Sequence, residues 1–236
     1  MLTDLKAIVF DVFGTVVDWR GSIAADLGAW GARRGIACDW AALADDWRAR
    51  YQPQLQRVRS GAVGWTVLDA LHREALEELL PRYGLQHLGE EDRRHLNRVW
   101  HRLNPWSDAR EGLRRLKARY VIGTLSNGNV ALLVDMAKHA DLPWDVVFSA
   151  ETFQAYKPLP ATYLGAARLL DLRPRELMLC AAHNDDLAAA RAQGLRTAFV
   201  PRPTEYGPNQ RKDLVAEQDW DVVAADFLDL AERLGA

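Results

Sequence analysis

Short apolar runs recur along the chain at residues 7–10, 120–125, 146–149, 177–181, 197–200 and 221–223. From the second run onward most of them are separated by stretches with helical periodicity, at 130–140, 161–170, 187–193 and 227–234. Strands alternating with helices in this way predict an α/β fold, with a parallel sheet covered on both faces. Sheets of that kind carry their sites at the C-terminal ends of the strands. Residues 21 to 101 break the pattern. They hold no strand-like run and read as amphipathic helices at 22–34, 40–57, 65–83 and 90–103, punctuated by Gly35, Ser60-Gly61, Gly84 and Gly89. The expected organisation is a core domain built from 1–18 and 102–236, with 19–101 inserted as a helical cap domain. An insert that leaves the C-terminal end of the first strand would sit over a site located there.

Composition narrows the function classes. The chain has 236 residues, 49% of them hydrophobic, with 30 Lys and Arg against 32 Asp and Glu. The near-balanced charge lacks the basic surplus expected of a non-specific nucleic-acid binder. No apolar stretch approaches membrane-spanning length, and the N-terminus runs directly into a strand without a signal peptide. These features predict a soluble, cytoplasmic protein with neither nucleic acid nor membrane as partner. The two cysteines, Cys38 and Cys180, show no paired Cys or His spacing of a zinc site. Cys180 lies in an apolar run and is expected to be buried.

Four segments carry candidate chemistry. In KAIVFDVFGTVVDW the first apolar run ends at Asp11, followed at once by Gly14 and Thr15, so a buried strand delivers a carboxylate to a tight turn. The position two residues on, where a second acid often stands, is Phe13. In TLSNGN, Ser126 and Asn127 follow the second strand at the start of a helix, where backbone N–H groups suit an anion or a simple cap. In YKPLPATY, Lys157 is a cation able to keep Asp11 ionised, with Tyr163 six residues later. In CAAHNDDLAAARAQG, Asp185 and Asp186 fall in the first turn of another helix, and His183 is either a cap or a base near neutral pH.

Taken in order, each at a predicted strand end, these segments resemble the haloacid dehalogenase superfamily over essentially the whole chain. The motif residues are Asp11, Ser126, Lys157 and Asp185 or Asp186. The resemblance implies a Rossmann-like core with a nucleophilic aspartate after the first strand. Phosphatases of the superfamily carry Asp-x-Asp-Gly-Thr, and their second Asp protonates the leaving alkoxide. Phe13 cannot transfer a proton, and loss of general-acid catalysis costs about 10²–10⁴ in rate. A halide leaves without one. Asp11-Val12-Phe13-Gly14-Thr15, LSNG and the lysine-to-tyrosine spacing resemble the L-2-haloacid dehalogenase branch. That branch also has a cap arginine within a Trp-Arg pair, matched by Trp47-Arg48, with Arg50 as the second choice. The chain departs from the better-known members at Ala181-Ala182-His183, where they have Ser-Ser-Asn, and at Asp185, where they have an aromatic residue. It looks like a distinct type II subgroup.

What the resemblance implies is hydrolysis of short-chain 2-haloalkanoic acids to 2-hydroxy acids through an ester on Asp11. Thr15 and Lys157 would orient Asp11, and Tyr163 would support the lysine. Arg48 and Asn127 would cradle the halide beside Phe13, while Ser126 and nearby backbone N–H groups would hold the substrate carboxylate. Asp186, helped by His183, would position or deprotonate the water. Trp19, Trp47 and Trp65 would either wall a dry pocket or pack the cap. No metal or cofactor is implied, and the branch is expected to form homodimers through cap helices. The alternative is a Mg-dependent phosphatase acting on a small phosphate ester.

Overall fold

The computed structural model describes residues 2–236. Its main sheet contains six strands, all parallel, in the order β5-β4-β1-β6-β7-β8. They are β1 (Ala7–Phe10), β4 (Val121–Ser126), β5 (Val146–Ser149), β6 (Leu177–Ala181), β7 (Arg196–Phe199) and β8 (Val222–Val223). Successive side chains of a strand point to opposite faces, and both faces here are buried. Ile8, Phe10, Met178 and Cys180 enter one hydrophobic cluster, while Ala7, Val9, Leu177, Leu179 and Ala181 enter another. That two-sided burial explains why these strands read as continuous apolar runs. Helices flank the sheet: α5 (Ala109–Lys117), α6 (Val130–Ala140), α7 (Ala150–Phe153), α8 (Pro160–Leu169), α9 (Asn184–Ala192) and α10 (Phe227–Arg233). Cys180 is buried, and both cysteines are free.

Between β1 and β4 the chain forms α1 (Trp19–Arg34), α2 (Trp40–Arg59), α3 (Leu68–Leu79) and α4 (Glu90–Asn97). The helix expected from 22 starts at Trp19, because the Asp18 carboxylate accepts the Gly21 N–H at 2.8 Å and caps it. The helix expected over 65–83 is α only to Leu79; a 3-10 turn holding Pro81 finishes it. Trp65 remains outside the helix and packs on Tyr156 with ring centroids 4.9 Å apart. The helix expected over 90–103 likewise tightens to 3-10 geometry after Asn97.

Two features at the base of this insert escape the apolar pattern. The strands β2 (Val17–Asp18) and β3 (Asn104–Pro105) pair antiparallel, so the outgoing and returning chain run side by side. The cluster that holds Ile8 and Phe10 continues into the insert through Trp19, Trp47, Leu76 and Trp100. Among the described residues, no helix is long and apolar enough to cross a membrane.

Candidate active site

The chemistry-bearing residues collect at the C-terminal ends of the strands. Asp11 extends β1 by one backbone bond, its N–H reaching Cys180 O at 3.0 Å. The chain then turns, with the N–H groups of Val16 and Val17 both reaching Val12 O. Gly14 makes this turn at φ 86°, in the left-handed region where a side chain is strained. A Cβ there would also lie 2.2 Å from the Glu205 carboxyl group.

Three donors meet Asp11. Thr15 Oγ1 donates to Oδ2 at 2.8 Å, Lys157 Nζ donates to Oδ1 at 3.1 Å, and His183 Nδ1 lies 3.1 Å from Oδ2. Burial alone would raise the Asp11 pKa, but the charges and hydrogen bonds of Lys157 and His183 outweigh it, so the carboxyl group sits well below its usual range. Thr15 Oγ1 accepts the Ala182 N–H at 2.9 Å, which directs its own hydrogen at Asp11 and ties the turn to the end of β6.

Lys157 is shared by two acids. Its ammonium also donates to Asp186 Oδ2 at 2.6 Å, and Tyr163 donates to Asp186 Oδ1 at 2.7 Å. Burial opposes the charge on Lys157, yet Asp11 and Asp186 raise its pKa. At Asp186, burial raises the pKa, Lys157 opposes the rise and Asp11 adds to it. Tyr163 therefore supports the lysine through Asp186 rather than by touching it. Asp185 and Asp186 do occupy the first turn of α9, but the ring of His183 does not cap that helix.

The insert contributes the opposite wall. Arg48 and Tyr51, three residues apart on α2, share a helix face and line a cavity of about 600 Å³ together with Asp11, Phe13, Asn127, Lys157, His183 and Asp186. The Arg48 guanidinium lies over the Tyr51 ring, 4.2 Å from its centroid, and over Trp19 at 5.5 Å. Its Nη1 is buried and has no hydrogen-bond partner among the described residues. Asn127 joins the two walls: Nδ2 donates to Tyr51 Oη at 3.0 Å, and Oδ1 accepts the Lys157 N–H at 2.9 Å. Phe13 is buried, edge-on to Trp100 at 5.8 Å.

Several expectations change. Arg50, the second choice for the cap cation, points elsewhere, bonding Glu78 and Asp46 O. Ser126 does not line the cavity; its Oγ accepts the Gly128 N–H at 3.1 Å and shapes the turn that carries Asn127. The start of α6, expected to suit an anion, already has one: Glu151 accepts the Val130 N–H at 2.8 Å. Trp19 and Trp47 serve as packing, Trp47 donating to His72 O and lying edge-on to Trp100.

One residue was not anticipated. Glu205 is fully buried in the loop after β7, where Oε2 lies 2.9 Å from His183 Nε2 and Oε1 accepts the Trp19 Nε1 hydrogen at 3.0 Å. Arg202 anchors this loop beneath the Asp11 turn, donating to Thr15 O and twice to Asp108. Burial would raise the Glu205 pKa, but the His183 charge lowers it; conversely, Glu205 and Asp11 raise His183 well above its usual value against burial. Its signal in the sequence was an acid in a strand-end loop. Among the described residues, no group of three or more His, Cys, Asp or Glu is arranged to hold a metal ion. Two larger clefts, of about 680 and 810 Å³, lie elsewhere, around Lys6 and Arg119, and hold none of these groups.

The family model for haloacid dehalogenase-like hydrolases matches residues 5–194. The (S)-2-haloacid dehalogenase 4A of Burkholderia cepacia is 32% identical over 216 residues, 87% of this chain and 88% of the relative. The crystal structure of the L-2-haloacid dehalogenase PA0810 superposes with a TM-score of 0.96 at 52% identity, covering 98% of this chain and 99% of that one. The defluorinating L-2-haloacid dehalogenase Rha0230 gives 0.95 at 48%, covering 98% and 96%. The parallel α/β core, the aspartate at the end of its first strand and the matched length together establish that the chain belongs to the haloacid dehalogenase-like hydrolases.

Proposed function

We propose that the protein hydrolyses carbon–halide bonds of short-chain 2-haloalkanoic acids, giving 2-hydroxy acids and halide. Asp11 attacks C2 in line, a C2–O bond forms as the C2–halogen bond breaks, and the halide leaves with the bonding electrons. Configuration at C2 inverts. Arg48 and the second Nδ2 hydrogen of Asn127 receive the halide. The substrate carboxylate lies beside Asn127 and is held by backbone N–H groups other than those of Gly128 and Val130, which Ser126 and Glu151 already take, and Thr15 and Lys157 keep Asp11 oriented and ionised. Asp186 and His183 serve the water that next attacks the Asp11 ester carbonyl. Residues 19–101 act as a cap that closes the site.

The observation that carries this reading is Phe13. It packs edge-on to Trp100 and lines the cavity two residues after Asp11. A phosphatase needs an acid there to protonate an alkoxide; a departing halide needs none. The relatives named above are haloacid dehalogenases, which supports the same substrate class. Homodimerisation through the cap helices is part of the proposal and is supported by the family resemblance. The two free cysteines fit a cytoplasmic setting.

Single turnover in heavy-oxygen water with enzyme in excess tests the reaction. Label is expected first in Asp11, with the hydroxy acid largely unlabelled; label passing straight into product would overturn the ester route. A halide-release panel of fluoro-, chloro- and bromoacetate and both 2-chloropropionate enantiomers sets the substrate range. Hydrolysis of phosphate esters that is lost in EDTA would favour the phosphatase instead.

A further inference from the structure

His183 lies between two buried carboxylates, Asp11 at Nδ1 and Glu205 at Nε2. Other charges nearby are Lys157, bonded to Asp11, Arg48, whose Nη2 is 3.9 Å from Glu205 Oε1, Lys212, which lines the same cavity, and Asp18, whose pKa Glu205 helps to raise. With a carboxylate at each nitrogen the ring carries both protons in the free enzyme, so it cannot act as a base there. Alkylation changes one side only. An Asp11 ester has no charge, and the Nδ1 hydrogen loses its anionic acceptor. Glu205 stays in place, because Trp19 donates to it and the Gly14 backbone packs against its carboxyl group.

We propose that Glu205 is a positioning residue for ester hydrolysis: it keeps a proton on His183 Nε2 and thereby leaves Nδ1, facing the Asp11 carboxyl group, as the base that takes a proton from the attacking water. This rests on the dehalogenase reading above and divides the labour within it. Both oxygens of Asp186 are already engaged by Lys157 and Tyr163.

The step balances. When the ester forms, His183 gives its Nδ1 proton to solvent through the cavity it lines. Water oxygen then bonds to Asp11 Cγ while one water proton passes to Nδ1. The adduct collapses by breaking the bond from Cγ to the alkoxy oxygen, and the alkoxide takes the Nδ1 proton to become the hydroxy acid. The carboxyl proton left on Asp11 moves to Nδ1, which restores the resting pair. Overall, haloacid and water give hydroxy acid, halide and one proton.

Glu205→Gln tests this with little change of shape. Oε1 keeps the Trp19 bond, so the amide NH₂ must face His183 Nε2. The ring can then accept at Nε2 only as the Nδ1–H tautomer, which has no lone pair for the water's proton. Rapid-quench measurement with 2-chloropropionate is expected to show one halide per site released at the wild-type rate. Steady-state turnover is expected to fall about 10²–10⁴-fold, with the Asp11 ester accumulating as a mass adduct on the intact protein. In a His183→Asn background the same change should add almost nothing, because Glu205 acts through the histidine. A Trp19→Phe background frees Oε1 to turn toward His183. There Glu205→Gln should cost roughly tenfold less; if Glu205→Gln melts, Glu205→Asp, which keeps the charge but withdraws the carboxylate from Nε2, should show the same selective slowing of ester hydrolysis. Equal slowing of halide release and hydrolysis, unchanged turnover, or independent multiplication with His183→Asn would overturn the proposal. Absence of halide from the wild-type enzyme would instead overturn the dehalogenase reading.

Discussion

The two walls of the cavity differ in how completely their polar groups are matched. On the sheet side both oxygens of Asp11 and of Asp186 are bonded, and Lys157 bridges the two acids. On the helical side Arg48 rests on the rings of Tyr51 and Trp19 with Nη1 buried and, among the described residues, without a hydrogen-bond partner. Its neighbour His72 has both ring nitrogens buried without partners among the described residues and stacks on Trp100 at 4.2 Å. Burial, with Arg48 nearby and despite Asp69, pushes the His72 pKa down to about 3, so at neutral pH it is an uncharged ring in an aromatic stack. Leaving a buried donor unmatched is costly. The sheet side is thus matched before substrate arrives and holds Asp11, the proposed nucleophile, ionised. The helical side holds a cation that meets Glu205 through Nη2 at 3.9 Å and leaves Nη1 for the negative charge that would develop in the proposed reaction.

The largest effect should come from the sheet side. Asp11→Asn removes the attacking oxygen anion while keeping the side-chain shape, and turnover should fall on the order of 10⁶-fold, as for loss of other covalent nucleophiles. Halide release and the intact-protein mass are the readouts; a variant that still forms an adduct at residue 11 would place the nucleophile elsewhere. Arg48→Gln comes next. It should slow halide release about 10²–10³-fold while hydrolysis of ester already formed stays near the wild-type rate. If the second half-reaction were the one that slowed, the division between the walls would be wrong.

The division also decides what could be read from sequence. The strands at 7–10, 146–149 and 177–181 and the helix at 130–140 agree with β1, β5, β6 and α6, because burial on both faces writes a local apolar signal. Asp11, Asn127 and Asp186 follow strand ends, and Lys157 lies in the loop past β5 and α7; a parallel sheet brings such segments together whatever the distance along the chain. Choosing between Arg48 and Arg50 needed the helix phase. At 3.6 residues per turn two positions differ by about 200°, so only one of them can face the cavity. The paired strands β2 and β3 are too short to show any period. Glu205 lies 22 residues beyond His183, past the segment that the family model matches, in a loop without periodicity. Only the packing of that loop under the Asp11 turn reveals its role.

The smallest expected effect tests how the walls are held together. Arg59, near the end of α2, donates through Nη1 to Lys157 O at 2.6 Å, across the mouth of the cavity. Gln56 and Gln52 accept from its Nε and Nη2, so the guanidinium is held in the geometry that spans the two walls. The bond is made to a backbone carbonyl and leaves the Lys157 ammonium on its two carboxylates. Arg59→Ala should therefore loosen closure without altering the charges around Asp11. One hydrogen bond of this kind contributes about 0.5–1.5 kcal/mol, which corresponds to a rise of roughly 2- to 10-fold in KM. The rate of halide release at saturating substrate should stay near that of the wild type. A matching fall in that rate would mean that the contact also sets the position of Asp11 through Lys157, and the two walls would then be a single mechanical unit.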